Sequence, residues 1–159
     1  MILMTAAPMT RTNTVLLIED EQADVELTGR ILQDQHPHVT LRVINCLADA
    51  LQCVDALRRD STRDRPDLVI LDLTLHRERA FSVLQGLKED VRLRAIPVLV
   101  LTGSSEERDV WRSYQHHANA YIVKPTNARD FETVLRRIVE FYLAVVLLAP
   151  AAPPGKVGG

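Results

Sequence analysis

Five short apolar runs, each followed by a stretch of helical period, constrain this chain more than any other feature. The runs are Thr14 to Ile18, Val39 to Ile44, Leu68 to Leu71, Ile96 to Leu101 and Ala120 to Val123. Helical periodicity covers 22–35, 47–59, 80–89 and 104–118, and a long last helix begins near Ala128. Such an alternation predicts a parallel sheet covered by helices on both faces. The runs LLI, LVIL and PVLVL are apolar without alternation, as strands buried on both faces are, so they are expected at the centre. Pro66 and Pro97 stand before or at the start of strand runs, where a missing N–H costs little. Ser104 with Glu107 reads as a capping box ahead of Val110 and Trp111, and Asn127 as the N-cap of the last helix.

At 159 residues the chain has room for one core and a little surplus. The expected division is a flexible segment over 1–12, a folded domain with an extended last helix over 13–148, and a Pro/Gly-rich tail, disordered or extended, over 149–159. With 19 Lys plus Arg against 21 Asp plus Glu, the chain has no basic footprint for nucleic acid or an anionic membrane. Its longest apolar stretch, Phe141 to Ala149, is far short of the roughly 20 residues that cross a bilayer. Met1 to Met4 lacks the basic flank and length of a signal peptide, so a cytoplasmic location is expected. Cys46 and Cys53 fall seven apart in what reads as one helix, about 10 Å along its axis, and are expected to be reduced packing residues.

Polar residues collect where the strands end. Strand one ends in Glu19 and Asp20, strand three in Asp72, strand four in Thr102 and strand five in Lys124. The carboxyl edge of an open α/β sheet is where ligands bind. If strands one and three are neighbours, three carboxylates converge and repel one another unless a cation sits among them. An oxygen-only donor set with room for water and an oxyanion suits Mg²⁺. Thr102 can donate a hydrogen bond to an oxyanion, and Lys124 is a mobile point charge suited to phosphate. Asp72 closes the most buried run and is the best candidate for a nucleophile that becomes an acyl phosphate. Gly103 leaves room for a close approach beside Thr102.

The segments VLLIEDE (15–21), DLVILDLTL (67–75), IPVLVLTG (96–103) and ANAYIVKP (118–125) together resemble the receiver domain of two-component response regulators. The resemblance implies a doubly wound (βα)₅ fold, flavodoxin-like and CheY-like, with a parallel sheet in the order 2-1-3-4-5. It implies Asp72 as phosphoacceptor from a partner histidine kinase, Glu19 and Asp20 as metal-side acids, and the Thr74 carbonyl as a further metal ligand. It further implies Thr102 and Lys124 as phosphoryl contacts, Thr102 and Tyr121 as the switch pair, and a cis peptide bond before Pro125. The pieces IEDEQADVEL, RSYQHHANAYIVKP and RRIVEFYL resemble, more narrowly, stand-alone receivers that serve phytochrome-type histidine kinases. Two departures stand out. His76 and Ala80 occupy places where the family has Pro and Gly, so the loop after Asp72 is expected to take another path. Glu19 replaces the usual Asp, which sets that carboxylate about one methylene further out, where it could reach the metal through water.

Other readings remain for the same residues. An aspartyl-nucleophile phosphatase uses a similar set, but its nucleophile would come first in the chain and an Asp would stand where Thr74 is. No phosphate-binding glycine loop follows strand one, which disfavours a nucleotide-binding domain. A dimeric scaffold that is not phosphorylated is the third class. His116 and His117, at a helix end, read as capping residues. In the last helix Phe131, Val134, Leu135, Ile138, Tyr142 and Val145 form one apolar stripe expected to face the sheet, while Val139, Leu143, Val146 and Leu147 form a second. A helix apolar on two sides needs a second burial partner, so a homodimer through the last helix and tail is expected.

Overall fold

The computed structural model describes residues 12–151. Five parallel strands, β1 (Thr14–Ile18), β2 (Thr40–Ile44), β3 (Leu68–Leu71), β4 (Val98–Thr102) and β5 (Ala120–Val123), lie in the order β2-β1-β3-β4-β5. They alternate with α1 (Gln22–Gln35), α2 (Leu47–Arg59), α3 (Arg77–Glu89), α4 (Glu107–Gln115) and α5 (Ala128–Glu140). The three continuously apolar runs are the inner strands β1, β3 and β4, as expected of segments covered on both sides.

The two-residue period of a strand divides the core in two. Leu16, Ile18, Val69, Leu71, Val98 and Val100 pack with Phe81, Leu84 and Leu87 of α3 and with Leu47 and Val54 of α2. Val15, Leu17, Leu68, Ile70, Leu99 and Leu101 pack with Ile31 and Leu32 of α1 and Phe131, Leu135 and Ile138 of α5. Each such side chain contributes about 1.5–3 kcal/mol by leaving water. At Gly86 an added Cβ would lie 2.9 Å from Val54 Cγ1, so a glycine lets α3 approach α2 closely. Lys88, also buried, donates to the carbonyls of Arg94 and Ile96 and to Asn119 Oδ1, tying the end of α3 to the segments entering β4 and β5.

Several local expectations change. The segment 104–106 is not helical, and no capping box forms: Ser104 Oγ donates to Asp109 Oδ2 at 2.7 Å, and α4 starts only at Glu107. Asn127 does cap α5, accepting from the amides of Arg129 and Asp130. Cys46 is the residue before α2 and not part of it, and both cysteines are free. Ala80 lies inside α3, where no positive φ is needed, so the altered loop is accommodated by a helix that starts at Arg77. His117, at φ 64°, ends α4 through a left-handed residue, with Ala118 N bonding the Ser113 carbonyl. The peptide bond before Pro125 is trans, since none of the described residues has a cis bond. The trans form is the lower-energy isomer, and Lys124 reaches its carboxylate partners without the other.

The end of α5 departs most from the stripe pattern. A π-helical turn, Phe141–Val145, follows Glu140, and Val146 is extended, so the helix stops short of residue 148. A change from i→i+4 to i→i+5 bonding rotates the later side chains off the earlier stripes. Val139, assigned to a dimer face, is 2 % exposed within the core of its own chain. Leu143 packs against that same core, whereas Val145, assigned to the sheet-facing stripe, is 69 % exposed. Leu147 stays on the outside at 97 %. Ala151 lines a cavity of about 450 Å³ with Thr12, Thr14 and Thr40 at the amino edge of the sheet. Residues 1–11 and 152–159, and so most of the two expected terminal segments, lie outside the described residues.

Candidate functional site

The sheet register brings the polar residues to one edge. Asp72 N bonds the Ile18 carbonyl and Glu19 N the Ile44 carbonyl, each continuing a ladder one step past the last strand pair. Lys124 N bonds the Thr102 carbonyl at 2.7 Å in the same way between β4 and β5. Four sequence-expected positions are thus fixed by backbone pairing, and Asp20 follows Glu19 at the exposed rim.

Glu19, Asp20 and Asp72 each place a carboxylate oxygen within 4.8 Å of the others. All the donors are oxygens, which fits a hard divalent cation such as Mg²⁺. Lys124 Nζ projects into the cluster and donates to Glu19 Oε2 at 2.5 Å, Asp72 Oδ2 at 2.8 Å and Asp24 Oδ2 at 2.8 Å. Asp24, in the first turn of α1, was not among the expected residues. Its spacing, four after Asp20 and opening the first helix, is the signal that could have found it.

The acids differ in basicity. Burial pushes the Glu19 carboxyl up to about 7, against the lowering effects of Lys124 and the Glu21 amide. Burial acts the same way on Asp72, but Lys124 together with the Thr74 amide and hydroxyl outweighs it and holds the carboxyl below its usual range. Burial pulls Lys124 down, and its three carboxylate partners more than reverse this, so the ammonium persists. Asp72 therefore stays an anion, the form in which a carboxylate can act as a nucleophile. Thr74, held to it at two points, is the residue whose carbonyl is expected in the metal shell.

On the other side of Asp72, Thr102 is 0 % exposed and its hydroxyl has no hydrogen-bond partner. A buried hydroxyl without a partner costs stability and is poised to donate to an arriving oxyanion. An added Cβ at Gly103 would meet nothing within 4 Å, so the space next to Thr102 is open. Tyr121 lies half-buried on β5, and its hydroxyl donates to the Ser104 carbonyl at 2.8 Å, two residues past Thr102. Sequence reasoning also missed a contact beneath this loop, where Arg77 Nη2 meets Asp109 Oδ2 at 3.2 Å.

A model of the response regulator receiver domain family matches residues 15–136. The response regulator Rcp1 of Synechocystis sp. is 35 % identical over 144 residues, covering 87 % of this chain and 93 % of its own length. Among solved structures, the phosphorylated cyanobacterial phytochrome response regulator RcpA superposes with a TM-score of 0.79 at 30 % identity, covering 87 % of this chain and 99 % of its own. The Mn²⁺-bound form of Rcp1 gives a TM-score of 0.80 at 32 % identity with the same coverage.

Proposed function

The chain belongs to the response regulator receiver domain family, and on that premise we propose that it works as a single-domain response regulator phosphorylated on Asp72. The observation that carries this reading is the Asp72 carboxylate, held as an anion by Lys124 at 2.8 Å inside a cluster of acids that fits a divalent cation. The phosphodonor is a partner histidine kinase. An Asp72 oxygen attacks the phosphorus of its phosphohistidine, the P–N bond breaks with its electron pair leaving on the imidazole, and an acyl phosphate forms. Glu19, Asp20, Asp72 and the Thr74 carbonyl would hold Mg²⁺, which would supply charge neutralisation for the transferring phosphoryl oxygens. Lys124 moves its donor from Asp72 to a phosphoryl oxygen, and Thr102 donates its unused hydroxyl to another.

Movement of Thr102 pulls on Gly103 and Ser104, and the Tyr121 hydroxyl rests on the Ser104 carbonyl. Phosphorylation is thereby read on the face formed by α4, β5 and α5. That face carries exposed Trp111, Tyr114 and Val123, and a cavity of about 760 Å³ lies along α4 beside Trp111 and Tyr114. Output through protein contacts follows, in the cytoplasm, where kinases find ATP. A phytochrome-type kinase is the proposed phosphodonor, on the strength of the relative described as a cyanobacterial phytochrome response regulator. A homodimer through the exposed end of the last helix and the tail completes the reading.

Incubation with acetyl phosphate and Mg²⁺ should add one phosphoryl group by intact mass, and Asp72→Asn should abolish it. An unmodified wild type would favour the scaffold reading, and repeated turnover of a phosphomonoester the phosphatase. For the kinase, transfer from a phytochrome-type histidine kinase should change rate with light. Transfer confined to unrelated kinases removes that part.

A further inference from the structure

We infer that Asp24 is a positioning residue for Lys124, the anchor that keeps its ammonium in the site while the other two partners are given over to metal and phosphoryl group. The inference rests on the reading of Asp72 as phosphoacceptor and deepens it.

A lysine ammonium has three N–H donors and no acceptor. In this structure each donor has its own carboxylate: Glu19, Asp72 and Asp24. Two of those carboxylates belong to the cluster that could hold a cation, and the third does not, since that group comprises Glu19, Asp20 and Asp72. Asp72 is also the oxygen that must bond phosphorus. A cation drawing on Glu19 and Asp72 thus competes with Lys124 for the same lone pairs. Asp24 alone has no second duty.

Asp24 is suited to that part by its place. It sits in the first turn of α1, near the partial positive charge of the helix amino end, which favours a carboxylate there. Its side chain is 21 % exposed, against 3 % for both Glu19 and Asp72, so it can hold the ammonium at the mouth of the crevice without full desolvation. Asp24 also lines, with Lys124 and Pro125, a cavity of about 540 Å³ between α1 and the start of α5. The ammonium can therefore swing between the acids and an entering phosphoryl oxygen while keeping one bond. Without Asp24, Lys124 has only Glu19 and Asp72, and it blocks the metal more effectively.

The experiment is a double-mutant cycle on the full chain, with Mn²⁺ binding measured by electron paramagnetic resonance of the free ion and Asp72 phosphorylation by acetyl phosphate as second readout. Asp24→Ala is expected to weaken Mn²⁺ binding at least fivefold and slow phosphorylation by a similar factor. Asp24→Glu is expected to restore most of both. In a Lys124→Ala background the same Asp24→Ala change should alter Mn²⁺ affinity less than twofold. An equal loss in both backgrounds would mean that only bare charge matters and would overturn the inference, as would wild-type affinity in Asp24→Ala. If Asp24→Ala fails to fold by thermal unfolding, Asp24→Asn, which keeps the shape, takes its place in the cycle. A wild type that binds Mn²⁺ but gains no phosphoryl group on Asp72 would sink the phosphoacceptor reading and leave the Mn²⁺ cycle to decide on Asp24. A wild type that binds no Mn²⁺ overturns the inference outright.

Discussion

Arg77, the first residue of α3, reaches across to Asp109 of α4 and places Nη2 3.2 Å from Oδ2 of a carboxylate that is 1 % exposed. The same guanidinium contacts Glu106, and Asp109 Oδ2 also accepts from Ser104 Oγ. Since Arg77 follows Asp72 by five residues and Ser104 follows Thr102 by two, this contact joins the loops on either side of Asp72. Asp109 Oδ1 is buried with no partner, so the junction has little to spare.

Arg77→Ala should therefore be costly for a partly exposed residue. It leaves a buried carboxylate with Ser104 as its side-chain donor among the described residues, and a lost hydrogen bond to a charged group is worth about 1.5–3 kcal/mol. Chemical denaturation is expected to show a loss of about 2 kcal/mol, and a smaller one for Arg92→Ala, whose guanidinium is about half-exposed where it meets Asp90. Equal effects would mean that the burial of Asp109 is not what gives the contact its weight.

Thr102→Val separates function from stability. The hydroxyl is buried and unpartnered, so replacing it with a methyl of the same shape removes a desolvated group. Stability should rise by about 1 kcal/mol. If Thr102 donates to the phosphoryl oxygen as proposed, phosphorylation of Asp72 should slow at least tenfold. A variant that is both less stable and equally fast would place the hydroxyl's role in packing.

Metal affinity should depend on pH through Glu19. Burial raises this carboxyl from 4.5 to about 7, so the folded chain keeps a proton that the unfolded chain has released. Its contribution to stability is full below about 4.5 and is lost as pH rises through about 7. Asp72, held low, acts oppositely and contributes above its usual range, a contribution lost on acidification. A cation must displace the Glu19 proton, so Mn²⁺ affinity is expected to climb up to tenfold per pH unit below about 7 and level off above it. Titration calorimetry in buffers of different ionisation heat should show proton release below the bend. Glu19→Gln should flatten the profile.

What could be read from the sequence was what backbone pairing decides. Once LLI, LVIL, PVLVL and AYIV are adjacent parallel strands, the residue after each run must fall on one edge, and Glu19, Asp72, Thr102 and Lys124 do so. Contacts between side chains of separate elements were not legible. Nothing in the spacing of Ser104 and Glu107 says that Asp109 takes the hydroxyl a helix cap would have used. Nor does an apolar stripe announce where helical bonding changes period. The π-turn at Phe141 moved Val145 outside relative to the pattern, while Val139, four residues after Leu135 on the regular part of α5, already lies on the core-facing side. The trans bond before Pro125 belongs to the same class, because the two isomers differ by only about 0.5–1 kcal/mol and surroundings decide.

That turn reshapes the dimer prediction. With Val139 and Leu143 packed on their own core, the apolar surface left at this end is Phe141, Val145 and Leu147. Phe141 stacks edge-on against Tyr142, which packs on the core, so its ring is held outward in place. A second copy covering these three side chains would remove them from water, at about 1.5–3 kcal/mol for each one fully buried. Light scattering after size exclusion should give a dimer mass for the wild type and a monomer mass for Phe141→Ser, Val145→Ser, Leu147→Ser combined. Because all three are exposed within the chain, that triple variant should lose under about 1 kcal/mol of monomer stability. Val139→Ser should instead unfold the chain, a loss typical of polar substitution in a core. A monomeric wild type, or a triple variant that stays dimeric, rules out this end of the last helix as the interface.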